Sequence, residues 1–196
     1  MKRSACVLFT GLIALGGATA CADAQNDSSE PVAEAPAIIT TARAELINRD
    51  RAVVGEAMLR QGPAGVLIRV EAEGFPPFEE GWHGIHLHMI GDCSNEDFTS
   101  SGGHINPSGR AHGLLHPDGP DNADLPNIYI HADGVMRGEF LTSRVSLNGS
   151  EDTPALFDAD GSALVFHQNP DDHFSQPIGG AGPRIVCGVI EAVAEQ

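Results

Sequence analysis

Apolar and polar residues alternate along short runs of this chain, each run ends at glycine, proline or an acidic turn, and no stretch carries the 3.6-residue periodicity of an amphipathic helix. Alternation runs from Ile38 to Asp50 and from Ala52 to Arg60, then Gln61-Gly62-Pro63 separates the second run from Gly65 to Glu73, which reads as a hairpin. Further β-like segments lie at His83–Ile90, Asn127–His131, Val135–Leu141, Arg144–Leu147, Ala163–His167 and Arg184–Val193. Many short strands without a convincing helix predict an all-β sandwich or barrel. Two stretches interrupt the rhythm, residues 91–126 and 168–183, both rich in Gly, Pro, Asp and Asn. Loops of that length inside a compact domain are usually functional.

The N-terminus reads as an export signal over residues 1–20: Lys2 and Arg3 precede an apolar run from Val7 to Leu15, which is too short to span a bilayer. Ala18-Thr19-Ala20 leads into Cys21, a lipoprotein-type cleavage site with Cys21 as the lipidation point, and Ala22-Asp23-Ala24 offers ordinary signal-peptidase cleavage instead. Residues 21–37 form a flexible linker of Ala, Ser, Pro and acids, so the folded domain is expected over 38–196, enough chain for one core. The expected location is the periplasm or cell envelope, with membrane attachment only through a lipidated Cys21. After loss of Cys6 with the signal, Cys93 and Cys187 are the remaining pair inside the domain, and one disulfide is the simplest reading in an oxidising compartment. A formal net charge of −16, with Lys2 as the single lysine, argues against a nucleic-acid partner.

Chemistry concentrates in the histidines. His86 and His88 are two apart in a strand-like run, so both imidazoles face the same way and can reach one ion. His104, in Gly102-Gly103-His104-Ile105-Asn106-Pro107, together with His112, His167 and Asp124, sits in a loop or at a strand end beside glycine, proline or acids. Five histidines and an aspartate can furnish two adjacent sites: four nitrogens suit copper(II), and a tetrahedral His/Asp set suits zinc.

From about Ile38 to the C-terminus these motifs resemble the copper-zinc superoxide dismutases of exported bacterial type. The resemblance rests on His83-Gly84-Ile85-His86-Leu87-His88, Gly103-His104-Ile105-Asn106-Pro107, His112-Gly113, Asp124-Leu125-Pro126-Asn127 and Arg184-Ile185-Val186-Cys187-Gly188-Val189-Ile190. It implies an eight-stranded Greek-key β-barrel or sandwich with two long functional loops. It also implies copper on His86, His88, His104 and His167, zinc on His104, His112 and Asp124, and His104 as the bridge between them. Asp171 matches an aspartate that hydrogen-bonds a copper histidine and a zinc histidine together, Cys93 and Cys187 match a disulfide, and Arg184 matches an arginine that docks the anion. The implied reaction is disproportionation of superoxide to oxygen and hydrogen peroxide by copper cycling between Cu(II) and Cu(I), an antioxidant defence of the envelope. His83 is implied to be a structural hydrogen-bonding residue.

The chain departs from the family pattern at one ligand. Three residues before Asp124 the family has another zinc histidine, and this chain has Asp121. Asp121 as an oxygen ligand is preferred because carboxylate is a legitimate zinc donor, with a swing of nearby His116 or a weakly bound zinc as the other outcomes. The 168–183 loop holds no lysine or arginine, only His173 as a conditional charge, which predicts weaker long-range guidance of superoxide than in lysine-bearing relatives, an effect for which superoxide dismutases are themselves an established example. Two other functions keep the same residues: a copper buffer, which would not need Arg184, and a zinc hydrolase with Asp121 or Asp172 as base, which would need an open zinc site. Relatives occur as monomers and as dimers, so a homodimer stays open.

Overall fold

The computed structural model describes residues 41–76 and 79–193. The expected signal over 1–20, Cys21, the 21–37 linker and the expected domain start near Ile38 lie outside the described residues, as do Pro77 and Phe78.

The nine strands are β1 (Thr41–Asn48), β2 (Val53–Gly62), β3 (Gly65–Glu73), β4 (Gly81–His83), β5 (Ile85–His88), β6 (Ile128–Ile130), β7 (Val135–Thr142), β8 (Ala163–His167) and β9 (Arg184–Ala192). All pairings between them are antiparallel, in the spatial order β4-β6-β7-β3-β2-β1-β9-β8-β5. β4 and β5 stand at the two ends of that order yet adjoin in the chain, separated by Gly84 alone. One length of chain therefore nearly closes the sheet into a barrel; nine strands stand where eight were expected, because Gly84 divides one run into β4 and β5. β3 pairs with β2 and β7, not with its successor β4, so the chain crosses to the far side of the barrel after the first meander. No α-helix occurs among the described residues, and no helix there is long and apolar enough to cross a membrane.

Alternation explains most of this. In β1, Ala42, Ala44 and Leu46 are buried and Arg43 and Glu45 are exposed; in β3, Val66, Ile68, Val70 and Ala72 are buried. These side chains meet Ile85, Leu87, Leu164, Phe166 and Ile190 in a single apolar core. β5 and β8 are buried at every residue. Their inner side chains join the core, and their outer ones lie beneath the long loops, which is why no exposed position breaks either strand.

The sequence reading needs two adjustments. His83–Ile90 is not one continuous strand, because the run changes partners at Gly84, from β6 to β8. Arg144–Leu147 is not a strand: Val145 and Leu147 are buried in alternation, but the segment makes only an isolated parallel bridge, Ser146 to Ala155, and Leu147 N–H donates to the Gln61 side chain at 3.0 Å. An alternating pattern records burial on one side, and without a neighbouring strand it does not make a ladder.

The first long loop joins β5 to β6 and folds back along the free edge of β5. Met89 N–H donates to Gly103 O at 2.9 Å, Ile105 N–H to Leu87 O at 3.1 Å and Leu87 N–H to Ala123 O at 3.1 Å. Cys93 in this loop is disulfide-bonded to Cys187 of β9. The second loop joins β8 to β9 as a hairpin-like arm, with Gln168 N–H donating to Pro183 O at 2.8 Å and Asn169 N–H to Ala181 O at 2.9 Å.

Candidate metal centre

His86 and His88 project from β5 on the face opposite Ile85 and Leu87, and both are buried. The folded-back loop sets His104 beside His88 and Asp124 beside His86 as backbone bridge partners. His167 ends β8 opposite Arg184 of β9, and its N–H donates to Gly84 O at 2.8 Å. Residues from β5, β8 and both loops thus converge at one place on the barrel wall. Ring centroids lie 4.3 Å apart for His86 and His104, 4.9 Å for His86 and His167, and 5.4 Å for His88 and His104.

Each ring has one nitrogen anchored and another left over. His86 Nε2 donates to Asp171 Oδ2 at 2.9 Å, His88 Nδ1 to Gly102 O at 2.9 Å and His167 Nδ1 to Gly182 O at 2.9 Å. The opposite atoms, His86 Nδ1, His88 Nε2 and His167 Nε2, are buried without a hydrogen-bond partner, and so is His104 Nε2. Burying a polar atom unpaired costs about 1–3 kcal/mol, so several at one point are a preformed donor set. His86, His88 and His167 can bring ligand atoms within 4.8 Å of one another.

A second group adjoins the first. His104, His112, Asp121 and Asp124 offer ligand atoms within 4.8 Å of one another. His104 Nδ1 lies 2.8 Å from Asp121 Oδ2 and 4.0 Å from Asp124 Oδ1, and His112 Nδ1 approaches Asp124 Oδ1 at 2.6 Å without hydrogen-bond geometry. His104 therefore presents one nitrogen to each group. Asp124 Oδ2 is occupied by the N–H groups of Gly113 (2.7 Å) and Asp121 (2.9 Å), which leaves Oδ1 free. Asp121 Oδ1 accepts from Ala123 and Asp124 N–H at 2.8 and 3.1 Å, which aims Oδ2 at His104. His116 stands apart: its Nδ1 accepts from Asp118 N–H at 3.1 Å and its ring packs on Phe174.

Asp171 ties the groups together. Its Oδ2 accepts from His86 Nε2, and its Oδ1 accepts from His112 Nε2 at 3.0 Å and from His173 N–H at 2.7 Å. Burial alone would raise its pKa, but the hydrogen bonds from His112 and His86 hold the carboxylate far below the usual range. The same two partners decide His112: burial works against its charge, yet Asp124 and Asp171 lift its pKa to about 10. Burial pushes His86, His88 and His167 down, His167 to about 3 with help from His86, and His88 well below its ordinary value with help from the Arg184 cation. The first group is thus neutral and ready to coordinate, and the second is rich in negative charge. Imidazole nitrogens with one shared ring suit copper, and a mixed imidazole and carboxylate set suits zinc, so the residues present fit both metals.

A cleft of about 390 Å³ opens over the site, lined by His88, His104, His167, Arg184 and the rims of both loops. The Arg184 guanidinium is fixed on its wall: Nη1 donates to Phe98 O (2.6 Å) and Ser101 Oγ (3.0 Å), and Nη2 donates to Gly102 O (2.7 Å). His83 lies behind, bridging the carbonyls of His167 and Glu79 at 2.8 Å each. The sequence reading missed several supports. Asn127 clamps Asp171 through two backbone hydrogen bonds of 2.8 and 2.9 Å, Gln176 does the same for His112 at 2.9 and 3.1 Å, and Arg144 donates to Asp124 O. Asn127 belongs to the Asp124-Leu125-Pro126-Asn127 motif, a signal in the sequence; Gln176 and Arg144 carry no local signal.

Comparison with known proteins agrees with this geometry. The family model described as copper/zinc superoxide dismutase matches residues 53–190. The chain is 49% identical to a Caulobacter vibrioides superoxide dismutase [Cu-Zn] over 70% of its length and 78% of the relative's. It is 46% identical to an Aquifex aeolicus superoxide dismutase [Cu-Zn] over 76% of its length and 85% of the relative's. Among solved structures it resembles a SOD-like protein from Bacillus subtilis (TM-score 0.69, 34% identity, covering 75% of this chain and 96% of that one). It also resembles the Cu/Zn superoxide dismutase from Brucella abortus (TM-score 0.59, 25% identity, covering 77% and 99%). The chain belongs to the copper/zinc superoxide dismutase family.

Proposed function

We propose that this chain disproportionates superoxide at the cleft above His86, His88, His104 and His167, two superoxide ions and two protons giving one oxygen and one hydrogen peroxide. The observation that carries this reading is the set of four buried, unpartnered imidazole nitrogens beside a fixed guanidinium. His86, His88, His104 and His167, through their unpartnered nitrogens, would hold copper, and His104, His112, Asp121 and Asp124 would hold zinc. Copper supplies one-electron redox chemistry when bound, and zinc supplies a redox-inert charge.

The remaining work falls to the protein. Gly102 O, Gly182 O and Asp171 fix the ring orientations, so the donors need no rearrangement to receive the ion. Arg184 docks the anion, and its three hydrogen bonds to the loop keep the charge at the wall of the cleft. His104 Nε2 is the position at which a proton can be held and passed to the reduced substrate. A buffer protein would need the imidazoles without the guanidinium, so Arg184 favours the enzyme over storage.

The test is superoxide decay by protein loaded with copper and zinc, with metal content measured in parallel. Rapid decay is expected, and Arg184→Ala should cut kcat/KM by roughly tenfold or more at unchanged copper content, since a hydrogen bond to a charged group contributes about 1.5–3 kcal/mol. Copper-loaded protein without decay would return the chain to the buffer reading. We further propose that the enzyme works in the cell envelope, anchored through Cys21. The signal-like residues 1–20 support this, and so does a disulfide, a bond that oxidising compartments favour. Fractionation checks it: Cys21→Ala should move the protein from the membrane to the soluble fraction.

A further inference from the structure

Arg184 can dock an anion only while two elements keep a fixed distance: β9, which carries the residue, and the loop from β5 to β6, which supplies its acceptors Phe98 O, Ser101 Oγ and Gly102 O. The turn between β1 and β2 touches both. β1 pairs with β9, Asn48 opposite Val186, so the turn begins beside the first residues of β9. Arg49 Nε donates to Arg184 O at 2.7 Å. Arg51 reaches the loop instead: Nη1 donates to Cys93 O at 2.6 Å, and the guanidinium carbon stands 5.8 Å from the centroid of the Phe98 ring, within cation–π range.

The turn itself is locked. Asn48 Oδ1 accepts from Ala52 N–H at 3.0 Å, Asn48 O accepts from Arg51 N–H at 2.9 Å, and Asn48 N–H donates to Ala52 O at 3.0 Å. Arg51 takes a left-handed backbone there, φ 64°, which glycine or asparagine adopts with less strain. Phe98 is left-handed too, φ 59°, and fully buried. Of the three non-glycine residues with such a backbone among the described residues, these two lie against one another. The ring that Arg51 covers and the carbonyl that Arg184 grips belong to one residue, and that carbonyl also accepts from Ser101 N–H at 3.2 Å and Ser101 Oγ at 2.8 Å. Backbone strain persists where a side chain is needed in one place.

We propose that Arg51 is a positioning residue for Arg184: it clamps Cys93 and Phe98 to the turn between β1 and β2, so that Arg184 meets a small anion with its own acceptors already in place. Arg51 does not line the cleft and acts only through Phe98 and the loop. Cys93 is held to the barrel twice, its sulfur by Cys187 and its carbonyl by Arg51. The proposal rests on the reading of Arg184 as the anion-docking residue of a dismutase, and it gives a reason for an arginine where glycine would be less strained.

The experiment titrates azide, a small monovalent anion that ligates copper(II), into the copper- and zinc-loaded protein, reading the absorption band of the bound anion and checking metal content for each variant. Arg51→Gly should weaken azide about threefold, within the range set by one lost hydrogen bond. Its Tm should stay close to that of the wild type, because the relieved backbone offsets the lost contacts. In an Arg184→Ala background, itself weaker for azide, Arg51→Gly should change nothing, which is the signature of one residue acting through another. Arg51→Lys keeps a cation over Phe98 and a donor for Cys93 O and should recover most of the loss; Arg51→Asn, which also accepts the left-handed backbone, should repeat the glycine result. Hydrogen exchange of the metal-free protein gives a second readout: the Ser101 and Gly102 amides should exchange several-fold faster in Arg51→Gly, and those of Ile68 and Val70 in β3 should not. An equal azide loss in both backgrounds, an Arg51→Gly protein that binds azide like the wild type, or an Arg51→Lys protein as weak as Arg51→Gly would each overturn the role of Arg51 alone. An Arg184→Ala protein that binds azide as tightly as the wild type overturns the docking role of Arg184 and that of Arg51 with it. Loaded wild-type protein that binds azide but leaves superoxide intact overturns the dismutase reading and not the clamp.

Discussion

Asp121 shows how one carboxylate can brace a backbone turn and still aim an oxygen at a neighbouring imidazole. Its Oδ1 satisfies two N–H groups, of Ala123 and Asp124, in the turn that delivers Asp124, and its Oδ2 faces His104. Asp121→Asn keeps the shape but loses the charge, and chelator competition should show zinc affinity down at least about tenfold, with copper affinity much less affected. Asp121→His restores the family's donor but leaves Ala123 and Asp124 N–H without an acceptor, so thermal unfolding should show a loss of about 1–3 kcal/mol even where zinc still binds. Asp171 makes a separate case, since it touches one ring of each group. Asp171→Ala should lower the affinity for both metals by roughly 10–100-fold, read by competition titration of each. The ligand types were legible because a His-x-His run in a strand has one geometry. The anchoring partners Gly102 O and Gly182 O were not, since a carbonyl is common to every residue and only the fold selects which one meets a ring.

Among the elements, the loop from β5 to β6 matters most, because it carries His104, His112, Asp121 and Asp124 and also the carbonyls that hold Arg184 and His88. Its hold on the barrel has two parts. One is the backbone ladder along the free edge of β5; the other is the Cys93–Cys187 bridge, buried with Phe98, Ala163 and Val165 in a small cluster of its own. The bridge spans 94 residues of sequence, and losing a native disulfide typically costs about 2–5 kcal/mol. Replacing both cysteines by serine should therefore lower Tm and also weaken copper binding, because Phe98 O, Ser101 and Gly102 O lose their fixed distance from β9. A calorimetric scan with a copper titration checks the pair of effects; a drop in Tm with copper affinity unchanged would show that the ladder alone positions the loop. The strands around this loop were legible from alternation. The Arg144–Leu147 segment misled, since burial alternates there while its backbone bonds go to residues 154–157 and to Gln61. The break at Gly84 was also hidden, because a change of strand partner leaves no mark on the hydrophobic pattern.

At the scale of the whole molecule, the barrel supplies rigidity and the site draws on it: His86, His88, His112, His167, Asp121, Asp124 and Asp171 are all buried. Without metal, the protonation of His86, His88, His112, His167, Asp124 and Asp171 couples directly to folding. His86, His88 and His167 are shifted down by burial, so below about pH 6.5 the unfolded chain binds more protons than the native one, and stability falls as pH drops from there toward 3. Asp124 and Asp171 are also shifted down despite burial, because their histidine and backbone partners favour the carboxylate, and they add to the acid limb below about pH 4. His112 is shifted the other way, up to about 10, so its contribution is complete below about pH 6.5 and is lost as pH rises through 10. Metal-free protein should accordingly be most stable near pH 6.5 and decline on both sides in denaturant titrations. If zinc takes His112 Nδ1 in place of a proton, as proposed, the alkaline decline should vanish once both metals are loaded. Binding to the native state alone adds about 2.7 kcal/mol at a hundredfold excess over Kd, which for a domain of this size raises Tm by roughly 5–10 °C. A metal-free protein whose stability keeps rising from pH 7 to 9 would mean that His112 is not held protonated between Asp124 and Asp171.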